Sequence, residues 1–202
     1  KGEICVILGP SGSGKSTILN MLGGLDTLDA GDLTIEGRSL VGLTPKERTL
    51  YRKEEVGFVF QFYNLIPDLT VEENIEVVSD ISESPLDLSE VLGALELEPY
   101  RRRFPRELSG GQQQRAAIAR AMIKNPRLLL CDELTGALDT RSSKNVLQFV
   151  EKMNRQYGTT VVIITHNEAI AKMADQIIRI RDGRVEESVF NEKKIPAEAL
   201  EL

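Results

Sequence analysis

The stretch "GPSGSGKST", Gly9 to Thr17, restricts the fold more than anything else in the chain. It follows the short, nearly continuous apolar run "GEICVILG", the pattern of a parallel strand buried on both faces. It precedes "STILNMLGGL", a helical pattern ending near Gly23 and Gly24. A strand, a glycine-rich loop and a helix in that order form a phosphate cradle. Gly12 and Gly14 let the backbone curl so that successive N–H groups face one anion, and Gly9 opens the loop. Pro10, Ser11, Ser13 and Thr17 complete the loop, Lys15 can reach the β and γ phosphates, and the Ser16 hydroxyl suits Mg²⁺. No glycine completes G-x-G-x-x-G from Gly12, which disfavours a dinucleotide fingerprint. The loop predicts binding of a nucleoside triphosphate.

Three further segments end in polar residues where strands should end. "RLLLCDE" puts Asp132 and Glu133 at the C-terminal end of a buried strand, the edge where parallel sheets bind ligands. Asp132 suits Mg²⁺ through its water shell, and Glu133 suits a general base on the attacking water. The single histidine, His166, follows the strand-like "TTVVIIT" and is expected to contact the γ-phosphate. Gln61 closes the β-rich run "EEVGFVFQ" and could position water or Mg²⁺. A separate feature, "ELSGGQQQR", joins Ser109, Gly110 and Gly111 to a helix start whose free N–H groups attract anions.

Strands alternating with helices predict an α/β fold, a P-loop core with a mostly parallel sheet. The expected core covers residues 1–61 and 113–190. Residues 62–112 lack a strand-length run and read as an inserted helical subdomain. Thr70 and Glu73 have capping-box spacing, and "LSEVLGALEL" gives a second helix, interrupted by Gly93 and ended by Pro99. Val146, Phe149, Val150, Met153 and Tyr157 share one face of a helix capped by Gly158. "GDLTIEG" alternates like a strand, and Asp182-Gly183 predicts a hairpin turn. The polar tail, 191–202, is expected to be loosely held.

A net charge of −6 is the wrong sign for a broad nucleic-acid surface, so no nucleic-acid partner is expected. No apolar run approaches the ~20 residues that span a bilayer, and no signal-peptide pattern opens the chain. Cys5 and Cys131 sit in apolar runs without metal-ligand spacing. They read as small hydrophobes, which fits a reducing, cytosolic compartment.

Taken together, the motifs resemble the ATP-binding cassette of ABC transporters. "GPSGSGKST" looks like Walker A, "FVFQ" the Q-loop, "LSGGQ" the signature, "LLLCDE" Walker B, "GALD" the D-loop and "TH" the H-loop. The resemblance implies ATP and Mg²⁺ as ligands and head-to-tail pairing with a second cassette, identical or not. Ser109, Gly110, Gly111 and Gln112 would then meet the partner's γ-phosphate, and Asp139 would meet the partner across the interface. "VGFVFQFYNLIPDLTVEENI" is similar to the branch of macrolide exporters, lipoprotein-release ATPases and FtsE-like cell-division cassettes. That branch implies an integral membrane permease as partner, a peripheral place on the cytoplasmic face of the inner membrane, and export or mechanotransmission.

The chain departs from the family pattern in two places. Only Lys1 to Leu8 precede Gly9, so the upstream strands and adenine-stacking aromatic of the family are expected to be missing. Leu134 stands where the family has proline, which predicts a looser turn. Two alternatives stay open. A soluble ABC ATPase of DNA repair or translation is disfavoured by the acidity and by the absence of a coiled-coil insertion. A regulatory cassette with little hydrolysis is disfavoured by intact Glu133 and His166.

Overall fold

The computed structural model describes residues 1–202. Strands β1 (Ile4–Leu8), β4 (Val56–Val59), β5 (Leu128–Asp132), β6 (Thr160–Thr165), β7 (Gln176–Arg181) and β8 (Arg184–Phe190) form one sheet, in the order β4-β5-β6-β1-β7-β8. All neighbours are parallel except β7 and β8, a hairpin. Its turn is Asp182-Gly183, both at positive φ (48° and 72°), the geometry of a tight two-residue turn. Alternate residues of the apolar runs feed opposite faces, as the strand period demands. Ile4, Val6 and Leu8 join Leu129, Cys131, Val161 and Ile163 in the larger core. Ile7, Leu128, Leu130, Val162 and Ile164 line the smaller one. Cys131 is buried and Cys5 is half-buried in these cores.

Helix α1 (Lys15–Leu22) follows the phosphate loop. β2 (Thr34–Ile35) and β3 (Arg38–Ser39) make a separate hairpin, so "GDLTIEG" yields only a two-residue strand before the chain turns through Glu36 and Gly37 at positive φ. Helix α2 (Pro45–Glu54) has no counterpart in the sequence reading. Its signal was present: Thr44 and Glu47 form a capping box and Pro45 takes the first turn.

The segment between β4 and β5 carries α3 (Val71–Ser79), capped by Thr70 and Glu73, then α4 (Leu88–Ala94) and α5 (Gly110–Met122). α4 runs through Gly93 instead of breaking there. It ends after Ala94, and Pro99 falls in a separate single turn, Glu98–Tyr100. Asp87 caps its start, accepting from the Glu90 N–H at 2.8 Å. α6 (Thr140–Tyr157) is capped by Asp139 and ends at Gly158 with φ 68°. Val146, Val150 and Met153 are buried on its inner face, whereas Phe149 and Tyr157 are only partly covered. α7 (Glu168–Ala171) is one short turn.

The tail corrects the expectation of looseness. Ala197 and Leu200 are buried against the larger core. The Ala197 N–H donates to Glu151 at 3.2 Å, Ile195 N–H to the Lys172 carbonyl at 2.9 Å, and Lys194 pairs with Asp175. Apolar residues spaced irregularly among charged ones give no periodic signal, yet Ala197 and Leu200 are buried.

Candidate functional site

The parallel register brings the polar ends of β1, β5 and β6 level, since Leu8 pairs with Thr165 and Asp132 with Ile164. The phosphate loop, Gln61, the Asp132–Glu133 pair and His166 therefore meet at one sheet edge. They line a cavity of about 750 Å³ that includes Ser11, Gly12, Gly14, Lys15, Ser16 and Thr17, with Ile164 its lone apolar contributor.

Lys15 is buried, and its ammonium donates to the carbonyls of Gly9 and Pro10, each at 2.8 Å. These bonds fix the loop's curl around one cation. Gly12 and Gly14 take φ of 79° and 98°, and Gly14 starts α1. Gly9 is needed for closeness: a Cβ there would lie 2.3 Å from the Ile180 carbonyl. Behind the loop, the Gly183 N–H donates to the Ser13 carbonyl at 3.2 Å, so the β7–β8 turn braces the cradle. That brace was not foreseen, because hairpin and loop are far apart in sequence. The Ser13 hydroxyl is buried without a partner. Ser13 and Pro10 shape the loop from behind and do not line the cavity.

The Ser16 hydroxyl donates to Asp132 Oδ2 at 3.3 Å. Burial raises the Asp132 pKa, against the lowering effect of the Ser16 bond, and the nearby Glu133 charge pushes the same way as burial. A hydroxyl beside a carboxylate that is costly to ionise fits Mg²⁺, a hard cation that takes oxygen ligands and relieves such a charge.

Glu133 takes an unusual left-handed backbone, φ 48°, held by its own N–H to the Ile164 carbonyl and by the Gly136 N–H to its carbonyl, both at 3.0 Å. Its carboxylate lies 3.0 Å from His166 Nδ1. The carboxylate is largely covered and the imidazole open, at 18% and 71% exposure. His166 thus reaches the cavity and Glu133 together. Leu134 does not leave the following turn open: its side chain is buried in the larger core. Gln61 stands just past β4, packed so near Gly136 that a Cβ there would lie 3.3 Å from its amide nitrogen.

Ser109, Gly110, Gly111 and Gln112 do not line this cavity. They form the start of α5, where the Gln112 N–H donates to Ser109 Oγ at 3.3 Å and the Ser109 N–H to Gln112 Oε1 at 2.8 Å. A Cβ on Gly111 would meet Ser142 at 3.2 Å, so glycine lets α5 approach the first turn of α6. There Asp139 accepts from the Ser142 N–H at 2.9 Å and hydroxyl at 2.7 Å. Those bonds hold its carboxyl below the usual range. Two helix starts therefore stand side by side, apart from the chain's own cavity.

Comparison with known proteins points to one family. Residues 1–136 match the family described as ABC transporter. A putative ABC transporter ATP-binding protein of Mycoplasma pneumoniae, the MG467 homolog, is 43% identical over 91% of this chain and 55% of its own length. The macrolide export ATP-binding/permease protein MacB of Sodalis glossinidius is 44% identical over 91% of this chain and 29% of its own. The chain spans 40% to 60% of the length of four mycoplasma relatives it matches. The ATP-binding cassette MJ0796, solved as a dimer in a post-hydrolysis state with ADP and Pi, superposes with a TM-score of 0.84. It is 40% identical, with 95% of this chain and 86% of that one covered.

Proposed function

The chain belongs to the ABC transporter ATP-binding family, and from that premise we propose that it is the Mg²⁺-dependent ATPase unit of a transporter, acting in pairs. The observation that carries the reading is the Glu133–His166 contact at 3.0 Å, facing the phosphate loop within one cavity. Lys15 and the loop N–H groups hold the β and γ phosphates of ATP. Ser16, Asp132 and Gln61 would hold Mg²⁺, which would screen the phosphate charge. Glu133 accepts a proton from the water that attacks the γ-phosphorus. The bond from that phosphorus to the bridging oxygen breaks, and its electron pair leaves with ADP. His166 orients the Glu133 carboxylate through Nδ1 and turns the rest of its exposed ring to the γ-phosphate.

The start of α5, with Ser109, Gly110, Gly111 and Gln112, offers N–H groups and a positive dipole end without a local lysine. Such a place suits an anion held mainly by another subunit, and MJ0796 was solved as a dimer. A second cassette supplies that nucleotide, and Asp139 meets the partner across the interface. ATP then acts as a ligand that favours the paired state, and hydrolysis releases it. No helix is long and apolar enough to cross a membrane. The cassette sits peripherally at the cytoplasmic face of the inner membrane, and an integral permease, separate or fused, completes the transporter. Its docking surface is the Gln61 loop and the helices after it.

Glu133→Gln tests the chemistry. The variant keeps ATP affinity, loses about 10²–10⁴-fold in phosphate release, and elutes as a dimer in Mg-ATP. A variant that hydrolyses at the parent rate removes Glu133 from the base role.

A further inference from the structure

The loop after Gln61 is held in a way the nucleotide chemistry does not require. Tyr63 and Asn64 both take left-handed backbones, φ 57° and 50°, in sequence and without glycine. Two consecutive residues of that kind persist only where their surroundings hold them. The holder is Arg120, on α5. Its guanidinium donates to the Asn64 carbonyl at 2.6 Å and to the Tyr63 carbonyl at 3.0 Å. Arg120 is partly buried, which lowers its pKa, and its side-chain hydrogen bonds go to these two carbonyls. The planar fork suits two adjacent acceptors in a way an ammonium does not. On the other side of the loop, the Tyr63 hydroxyl rests at the start of α5: a Cβ on Gly110 would lie 3.0 Å from it. Asn74 anchors the far end through Ile66 and Leu69.

We infer that Arg120 is a positioning residue for Gln61, a latch that fastens the cavity's glutamine loop to the helix carrying Ser109 to Gln112. Arg120 lines no part of the cavity and touches no phosphate position; it acts through the carbonyls of Tyr63 and Asn64. With the latch closed, a shift of α5 carries Gln61 with it. The inference rests on the proposed nucleotide site for its effect on turnover, but not for its effect on the loop.

Arg120→Met, Arg120→Lys, Asn64→Gly and the Arg120→Met/Asn64→Gly pair test it in the full chain. Hydrogen exchange without nucleotide reads the loop directly. Arg120→Met should speed exchange across residues 61–66 about tenfold, while β1, β5 and β6 keep their protection. In Mg-ATP, kcat should fall about tenfold with KM for ATP changed less than about twofold, because the P-loop contacts remain. Glycine adopts positive φ without help, so adding Asn64→Gly should recover part of both losses. Arg120→Lys should fall between, reaching one carbonyl instead of two. Unchanged exchange at 61–66 in Arg120→Met overturns the latch. So does faster exchange spread through the whole core with no recovery by Asn64→Gly, which marks a packing role only. A parent chain that releases no phosphate defeats the proposed function, and the exchange result still decides the latch.

Discussion

Asp132 is placed at some cost to the fold. Its carboxylate sits at the end of a buried strand, beside Glu133, and burial raises its pKa. A raised acid pKa means the folded chain keeps that proton to higher pH than the unfolded chain. The stability so contributed is full below the unfolded carboxylate pKa and is lost as pH rises through the folded value. At neutral pH the ionised carboxylate therefore weighs against the fold. Asp132→Asn should raise Tm at pH 7 without Mg²⁺ or nucleotide by about 2 °C, a modest figure because the group is half exposed. The gain should shrink as pH falls and vanish near about pH 4, when the parent's Asp132 is also neutral. The same variant should lose at least about tenfold in Mg²⁺-dependent turnover. Calorimetry across pH with a phosphate-release assay checks both; an Asn variant less stable than the parent at pH 7 contradicts the sign. Residues of this kind were legible in the sequence because strand-end polarity is local. The contact between Ser13 behind the cradle and Gly183 beneath it was not, since it is set by the sheet order.

At the scale of elements, legibility followed whether a signal repeats. The runs of β1, β5 and β6 are buried on both faces and could be read directly. The caps at Thr70 and Gly158 could be read because one residue type fixes one local geometry. α2 was overlooked although Thr44, Pro45 and Glu47 announce it, because an almost wholly polar helix offers no apolar period behind the cap. The segment after β8 fails the same test for the opposite reason: its few apolar residues are well used but irregularly spaced. Leu200 is 1% exposed against α6 and its neighbours. Leu200→Ala should therefore cost about 2–4 kcal/mol in urea denaturation, the range for a buried leucine truncated in a packed site. Phe190→Ser, at 72% exposure on the sheet edge, should change stability by less than about 0.5 kcal/mol. Equal effects of the two would place the final segment on the surface after all.

At the scale of the whole molecule, the proposed pairing makes two chains the unit of function. Each chain holds a cradle with its lysine and, elsewhere, a helix start with N–H groups and no lysine. Two-fold pairing that places each cradle against the other chain's helix start makes two identical composite sites. Lys15→Ala then disables the cradle of its own chain, and Ser109→Arg obstructs the site formed with the partner's cradle. Ser109→Arg also removes a cap, a local cost of about 1 kcal/mol that leaves the chain folded. Each variant alone forms only dimers with two damaged sites. In a mixed dimer, the Ser109→Arg chain brings an intact cradle and the Lys15→Ala chain brings an intact helix start. Those two halves meet at one site, while both lesions fall together at the other. Equimolar mixing should thus restore up to about a quarter of the parent rate, from random pairing and one good site per mixed dimer. Phosphate release measured over a titration of one variant into the other should peak near equal amounts. A flat response, with each mixture giving only the sum of its inactive parts, would mean that the helix start serves its own chain.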